Sequence, residues 1–204
     1  MVHSFLIHTL GPVSALSANE SRVLFARAFG PEESAQRGAE PEPEPELVPE
    51  TRRLLQKERL AVVARRVRSV VALGRAASGV PAVECVLGEE AAALGEADVG
   101  VLRLTSGEPF AVERTVLWLA VQSLAFCLVC DMHENLLLAE GTLRNIGRRC
   151  LEELRLLGPG SEVILKSDRI DALLNHYLPH GQLLFLNHRF THCLDRELSS
   201  YGNK

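Results

Sequence analysis

The sequence lacks the short motifs that identify most enzymes. Its 204 residues contain no Gly-rich phosphate loop, no G-x-G-x-x-G, no G-x-S-x-G and no H-E-x-x-H. The nearest approach, His133-Glu134, continues Asn-Leu-Leu and fails the zinc-protease pattern. An enzyme built from scattered residues stays open as an alternative, but the sequence predicts a non-enzymatic protein that needs no cofactor.

Long hydrophobic runs are also scarce. The longest, residues 115–130, would span about 24 Å as a helix, which is short of the roughly 30 Å of a bilayer core. The N-terminus has no basic start and only a short apolar run, unlike a secretory signal. Cysteines stand at 85, 127, 130, 150 and 193, an odd number without framework spacing. We therefore expect a cytoplasmic protein in a reducing compartment, attached to membranes, if at all, through partners.

Two cysteine and histidine spacings invite a metal-site interpretation. Cys127 and Cys130 match C-x-x-C, but they fall in a predicted strand, where residues three apart point to opposite faces. His188 and His192 are spaced i, i+4, but no third ligand supports them. We interpret the cysteines as small buried apolar residues and the histidines as surface residues, and we predict no metal site.

Charge is distributed unevenly along a chain whose net charge is only −4. Residues 31–50 hold seven Glu, one Arg and five Pro, which predicts a disordered, solvated acidic loop. A basic helix is expected at residues 52–76, with seven Arg and one Lys against one Glu. Its basic face has three interpretations: a solvated surface, a contact with a protein partner or the acidic loop, or a phosphoinositide or nucleic-acid patch. It has no aromatic residue to stack on bases, so we expect no nucleic acid.

The hydrophobic pattern predicts one domain over residues 1–204, with a loose connection at 77–98. The expected order is ββαβββαα(α), an α+β arrangement in which an antiparallel-type five-stranded sheet is sandwiched by helices. The expected strands are residues 3–10, 22–29, 99–104, 115–121 and 124–130, the last two joined as a hairpin by Gln122-Ser123. Three helices are expected, each with one apolar stripe. The first stripe is Leu60, Val63, Val67, Val70 and Val71, and the second is Ala139, Leu143, Ile146, Cys150, Leu154 and Leu157. The third is Ile170, Leu173, Leu174 and Tyr177, in a helix capped by Ser167 or Asp168. Residues 183–186 are an apolar run of ambiguous type, and 190–199 are expected to form a last short helix.

At residue level the chain resembles the small sigma subunits of adaptor complexes, which have a longin-type fold. In FCLVCDMHENLLLAEGTLRNI, residues Asp131, Asn135 and Glu140 match the sigma-adaptin pattern in which a strand ends in Cys-Val-Asp, followed by Asn-x-Leu and then Leu-Glu. The opening MVHSFLIHTL resembles the first strand of the same subunits. The segments RTVLWLAVQSLAFCLVCDMHENLLLAEGTLR and LPHGQLLFLN are similar to the sigma subunits of the fifth adaptor protein complex.

This resemblance implies a non-enzymatic small subunit of a heterotetrameric complex with zeta, beta and medium (mu) chains. It further implies association with spatacsin and spastizin, and vesicle transport at late endosomes and lysosomes, with the complex peripheral on the membrane. The alternative is a longin-fold scaffold of a GTPase-regulating trafficking complex, which nucleotide-exchange assays would distinguish.

Candidate partner surfaces come from apolar residues in excess of what one helix side can bury. These are Leu136 to Leu138 and residues 183–185. By resemblance, a pocket that binds acidic dileucine signals in other sigma subunits would fall near Ile146, Arg155 and Leu156. Arg155 stands where those subunits have a small polar residue, which argues against retention of the pocket.

Overall fold

Five antiparallel strands form one sheet at the centre of the described chain. The structure, a computed structural model, describes residues 1–11, 21–29, 49–79, 90–152, 161–185 and 193. The strands are β1 (Val2–Thr9), β2 (Val23–Ala28), β3 (Asp98–Leu104), β4 (Arg114–Val121) and β5 (Leu124–Asp131). The helices are α1 (Pro49–Ser78), α2 (Glu90–Gly95), α3 (Leu136–Glu152), α4 (Ser161–Leu165) and α5 (Ser167–Tyr177), with a 3₁₀ turn at Pro179–Gly181. The predicted α+β class with an antiparallel five-stranded sheet is confirmed.

The strand order, β2-β1-β5-β4-β3, places β5 in the middle of the sheet. β4 and β5 pair as the predicted hairpin, with Val121 opposite Leu124 across the two-residue turn. Gln122 in that turn has φ of 50°, the left-handed backbone that tight hairpins require. β5 then pairs on its other side with β1, so the first and last strands of the chain are neighbours.

Each face of the sheet is covered by helices, which makes two separate cores. On one face, Phe126 and Leu128 of β5 pack with the buried sides of α3 and α5. On the other face, Ala125 and Cys127 pack with the buried side of α1. Successive residues of β5 therefore alternate between the two cores, as the strand period requires. The predicted sandwich is confirmed.

Close packing at the edge of the sheet depends on one glycine. Gly100 in β3 lies opposite Trp118 in β4, and a Cβ atom at Gly100 would collide with the Trp118 ring. Because Gly100 has no side chain, the indole can lie over the edge strand and stay buried in the core between the sheet and α1, which we call the α1 core. A glycine inside a strand often marks such a close approach.

Several boundaries differ from the sequence-based expectation. α1 begins at Pro49, so Pro49 and Glu50 belong to its first turn and not to the acidic loop. Proline is favoured at a helix start because the first N–H groups have no partner there. The expected loose connection also contains helical structure, since α1 continues to Ser78 and α2 occupies Glu90–Gly95.

The expected cap of α5 is wrong, although its buried face is correct. The N-cap residue is Lys166, with no side-chain capping hydrogen bond, because α4 runs directly into α5. The Lys166 N–H donates to the Glu162 carbonyl, and the Ile170 N–H donates to the Lys166 carbonyl. Helical hydrogen bonding therefore continues across the junction. Ile170, Leu173, Leu174 and Tyr177 are buried as expected.

Other predicted helical positions lie partly outside the described residues. Leu154 and Leu157 of the α3 stripe fall there, as do Leu186, His188, His192 and residues 190–199 other than the exposed Cys193. Within α1, Val70 is 37% exposed, so the expected stripe is correct except at that position. Among the described helices, none is long and apolar enough to cross a membrane.

We predict that Phe126→Ala lowers the free energy of unfolding by roughly 3–5 kcal/mol, because Phe126 is fully buried in the central strand. That loss is a large share of a domain's typical stability of about 5–15 kcal/mol. Chemical denaturation followed by circular dichroism measures it. The matched control is Val112→Ala, since Val112 is 43% exposed and should change stability by less than about 0.5 kcal/mol. Equal stabilities for the two variants would contradict the placement of β5.

Acid should weaken the fold through His8 of β1. This imidazole is buried, and burial chiefly lowers its pKa from 6.5 to about 4; the Thr9 carbonyl opposes that shift, and the Arg68 charge adds to it. Between about pH 6.5 and pH 4, His8 is protonated in the unfolded chain but not in the folded chain. The free energy of unfolding is therefore highest above about pH 6.5 and falls toward pH 4. The slope is about 1.4 kcal/mol per pH unit.

The measurement is the free energy of unfolding at a series of pH values between neutrality and pH 5. His8→Gln should flatten the dependence, because the glutamine amide takes up no proton in this pH range. An unaltered slope in His8→Gln would show that His8 is not the group responsible.

Candidate partner-binding surfaces

The residues that carry the sigma-adaptin resemblance fix the corner between β5 and α3. Asp131, at the end of β5, receives a hydrogen bond from the Arg114 guanidinium, and its Oδ2 lies 3.2 Å from the Met1 amino group. Asn135 precedes α3, and its Oδ1 accepts the Leu138 N–H at 3.1 Å. This is an N-cap, which satisfies one of the unpaired donors at a helix start.

Charge also holds this corner in place. Glu134 is ion-paired with the Met1 amino group, and the hydrogen bond from that group is the main cause that lowers the pKa of the Glu134 carboxyl. Glu140, the third matching residue, accepts a hydrogen bond from Arg144 Nε at 2.9 Å, one turn along α3. Asp131 and Asn135 thus hold the junction between β5 and α3, whereas Glu140 pairs within the helix.

Three apolar side chains near this junction are exposed, and we name these residues, Met1, Met132 and Leu137, the α3 corner. The predicted interface residues Leu136 and Leu138 are both half-buried, whereas Leu137 between them is 84% exposed. Met1 and Met132 are 42% and 44% exposed. The most accessible member of the predicted 136–138 run is therefore its central leucine, held rigidly by the Asn135 cap.

Of the three predicted pocket residues, the structure describes only Ile146. Ile146 is fully buried among the α3 residues that pack on the sheet. Arg155 and Leu156 lie outside the described residues. A pocket formed by these three residues stays a prediction, and in the described chain Ile146 serves the core.

Exposed apolar residues also occur in α4 and after the 3₁₀ turn. Leu183 packs against the core, but Phe185 is 81% exposed, so the predicted 183–185 run presents its last residue to solvent. Ile164 and Leu165 in α4 are 46% and 77% exposed. Sequence reasoning missed α4 residues because a helix of one turn has no readable period.

α1 carries a third surface that sequence reasoning also missed. Its first ten residues after Pro49 are not buried, and burial begins only at Leu60. In this first part of α1, Leu54 and Leu55 are 59% and 39% exposed, and Leu73 near the other end of the helix is 71% exposed. The signal was present in the sequence as leucines that do not fit the buried stripe.

The described residues offer little for catalysis. No group of three His, Cys, Asp or Glu among them is placed to hold a metal ion. Cys127 lies in the α1 core and Cys130 in the α3 core, so the strand does separate the two thiols. Burial raises the pKa of Cys127 far above the usual value and that of Cys130 to about 12. Both thiols are therefore protonated and unreactive at neutral pH.

Comparison with known proteins gives one consistent result. The sequence model of the family described as AP-5 complex subunit sigma-1 matches residues 1–199. A human protein named AP-5 complex subunit sigma-1 is 46% identical over 202 residues, covering 98% of this chain and 98% of its own length. The mouse protein of that name is 43% identical over 161 residues, covering 78% of this chain and 91% of its own. The similarity spans the sheet and the helices on both of its faces.

We predict that Asn135→Ala destabilises the fold by about 0.5–2 kcal/mol, because the Leu138 N–H loses its capping acceptor. Asn135→Asp should retain most of the stability, since a carboxylate also accepts this bond and suits a helix N-terminus. Thermal melts of the three proteins decide the matter. If the alanine and aspartate variants melt together, the cap does not hold α3.

Proposed function

Because the chain belongs to the family of AP-5 complex subunit sigma-1, we propose that it is the non-enzymatic small subunit of a heterotetrameric adaptor complex. Its role is to scaffold the large subunits. The observation that carries this proposal is the 46% identity to the human protein over 98% of both chains. Identity of that extent covers every described surface, including the β5–α3 corner.

The distribution of exposed apolar side chains supports a subunit that is enclosed by partners. Leu137 on the α3 corner, Leu165 in α4 and Leu73 in α1 are each more than two-thirds exposed. They belong to elements on both faces of the sheet. Exposed apolar patches on soluble domains mark interaction sites, and permanent subunit interfaces are more hydrophobic than transient ones.

The proposed partners are the zeta, beta and mu chains of the same complex. Through that complex we propose association with spatacsin and spastizin, and action in vesicle transport at late endosomes and lysosomes. The protein would be cytoplasmic and peripheral on those membranes, and it would need neither a cofactor nor nucleic acid. The predicted Leu136–Leu138 run is the proposed contact on the α3 side.

Co-expression with the zeta, beta and mu chains tests the proposal. The unchanged chain should be recovered in equal proportion with them, and alone it should be poorly soluble. Leu137→Asp should keep the circular dichroism spectrum and lower recovery at least about tenfold, which corresponds to about 1.4 kcal/mol. The control Val112→Asp alters an exposed valine in a loop and should not change recovery.

Two outcomes would contradict the proposal. One is a stable, monodisperse monomer that ignores the three chains. The other is acceleration of nucleotide exchange on trafficking GTPases, which belongs to the alternative of a GTPase-regulating scaffold and is not expected of an adaptor subunit.

A further inference from the structure

α1 carries apolar side chains on a second side besides the one that packs on the sheet. The side that faces the sheet is formed by Leu60, Val63, Ala64, Val67 and Val71, all buried. Leu73 follows Val71 by two residues, which is about 200° around a helix, and points away from the sheet. Leu55 lies 18 residues before Leu73, and because 18 residues make five full turns the two leucines share one direction.

The outward side has the spacing of a helix-packing seam. We name as the outer stripe Leu55, Arg59, Val62, Arg66, Ser69 and Leu73, which are separated by four, three, four, three and four residues. Leu55, Ser69 and Leu73 are exposed, and the other three are half-buried. Steps of three and four along a helix place side chains in one line, as in the seam between two packed helices. The stripe is about 27 Å long at 1.5 Å per residue.

We propose that the outer stripe of α1 packs against an acidic helix of a protein partner. The inference rests on the proposed function, since it supposes that the chain works inside a protein complex. The partner helix presents apolar residues to Leu55, Val62 and Leu73. It presents an Asp or Glu carboxylate to Arg66, which stands between Val62 and Leu73.

Charge complementarity identifies the partner as acidic. α1 contains seven arginines and one lysine against only Glu50 and Glu58. Burying Arg66 in an interface without an opposing carboxylate would be costly, whereas Arg paired with carboxylate forms strong, charge-assisted hydrogen bonds. A second copy of this chain is unsuitable, because two outer stripes would bring arginines together.

The mixture of residues favours a protein over an anionic membrane. Membrane-surface helices separate their apolar face from their basic face, so that the apolar face enters the lipid. In α1 the fully apolar face is already used by the sheet, and arginine alternates with leucine and valine on the outer stripe. Protein interfaces are enriched in arginine, which suits this mixture.

The first test is a photo-crosslink in the assembled complex. A benzophenone amino acid replaces Leu73 in the full chain, which is co-expressed with the zeta, beta and mu chains. The control position is Val101 in β3, which is 48% exposed and lies in an edge strand of the sheet. We expect position 73 to crosslink to a helix of a partner chain that carries Asp or Glu at seam spacing, and position 101 to give no crosslink to that helix.

The second test is charge reversal with rescue. Arg66→Glu should change the circular dichroism melt little, because Arg66 is only half-buried and a partly exposed ionic side chain contributes little to stability. It should lower recovery of the complex at least about tenfold. Changing the crosslinked partner carboxylate to Lys should restore recovery. Arg53→Glu is the matched control on the same helix, since Arg53 lies outside the outer stripe, and it should have no effect.

Each contrary result overturns the inference in a recognisable way. If the complex assembles but position 73 gives no crosslink, or crosslinks a segment without carboxylates, the inference fails and the proposed function stands. Crosslinks only to residues 31–48 of the same chain would make the acidic segment the occupant. If the protein pellets with vesicles that contain phosphatidylserine, but not with phosphatidylcholine alone, and this depends on Arg66, then the outer stripe binds an anionic membrane. Failure of the unchanged chain to assemble overturns both proposals.

Discussion

The whole fold depends on a strand that is apolar on both faces. Every residue of β5 from Leu124 to Cys130 is buried, and its neighbours β1 and β4 are almost as completely enclosed. A sheet with such a centre cannot leave either face in water, so helices must cover both. On one side α3, α4 and α5 share this task, and on the other side α1 is the helix that covers the sheet among the described residues.

This asymmetry explains why α1 extends beyond what it covers. Its 30 residues make about 45 Å, whereas an eight-residue strand such as β1 spans about 26 Å. Arg68 and Arg75 attach the second half of α1 to the end of the sheet, by donating hydrogen bonds to the Leu10 and Gln122 carbonyls. Burial in α1 begins only at Leu60, and Leu54 and Leu55 before it are exposed.

Features with a strong local cause could be predicted from the sequence, and features set by tertiary contacts could not. The β4–β5 hairpin follows from two apolar runs joined by two residues, and the buried face of α5 follows from its period. The cap of α5 could not be foreseen, because α4 precedes it and satisfies the same backbone groups. Ile146 lies on an apolar stripe, and a stripe alone does not distinguish a pocket residue from one under the sheet. The second set of apolar residues on α1 was missed as well, because a helix with apolar residues on more than one side has little amphipathicity.

The residues that identify the family and the residues that could bind partners are different sets. Asp131, Asn135 and Glu140 accept hydrogen bonds within the chain: the first two hold the start of α3 at the end of β5, and the third is an i,i+4 pair within α3. Exposed leucines such as Leu137 make no such bonds and have no motif, yet their position depends on that fixed corner. The motif specifies a rigid frame, and apolar side chains that the frame leaves exposed supply the candidate contacts. This division means that partner choice must be sought in the exposed surface that is buried upon assembly, because the residues that match the family pattern act in folding.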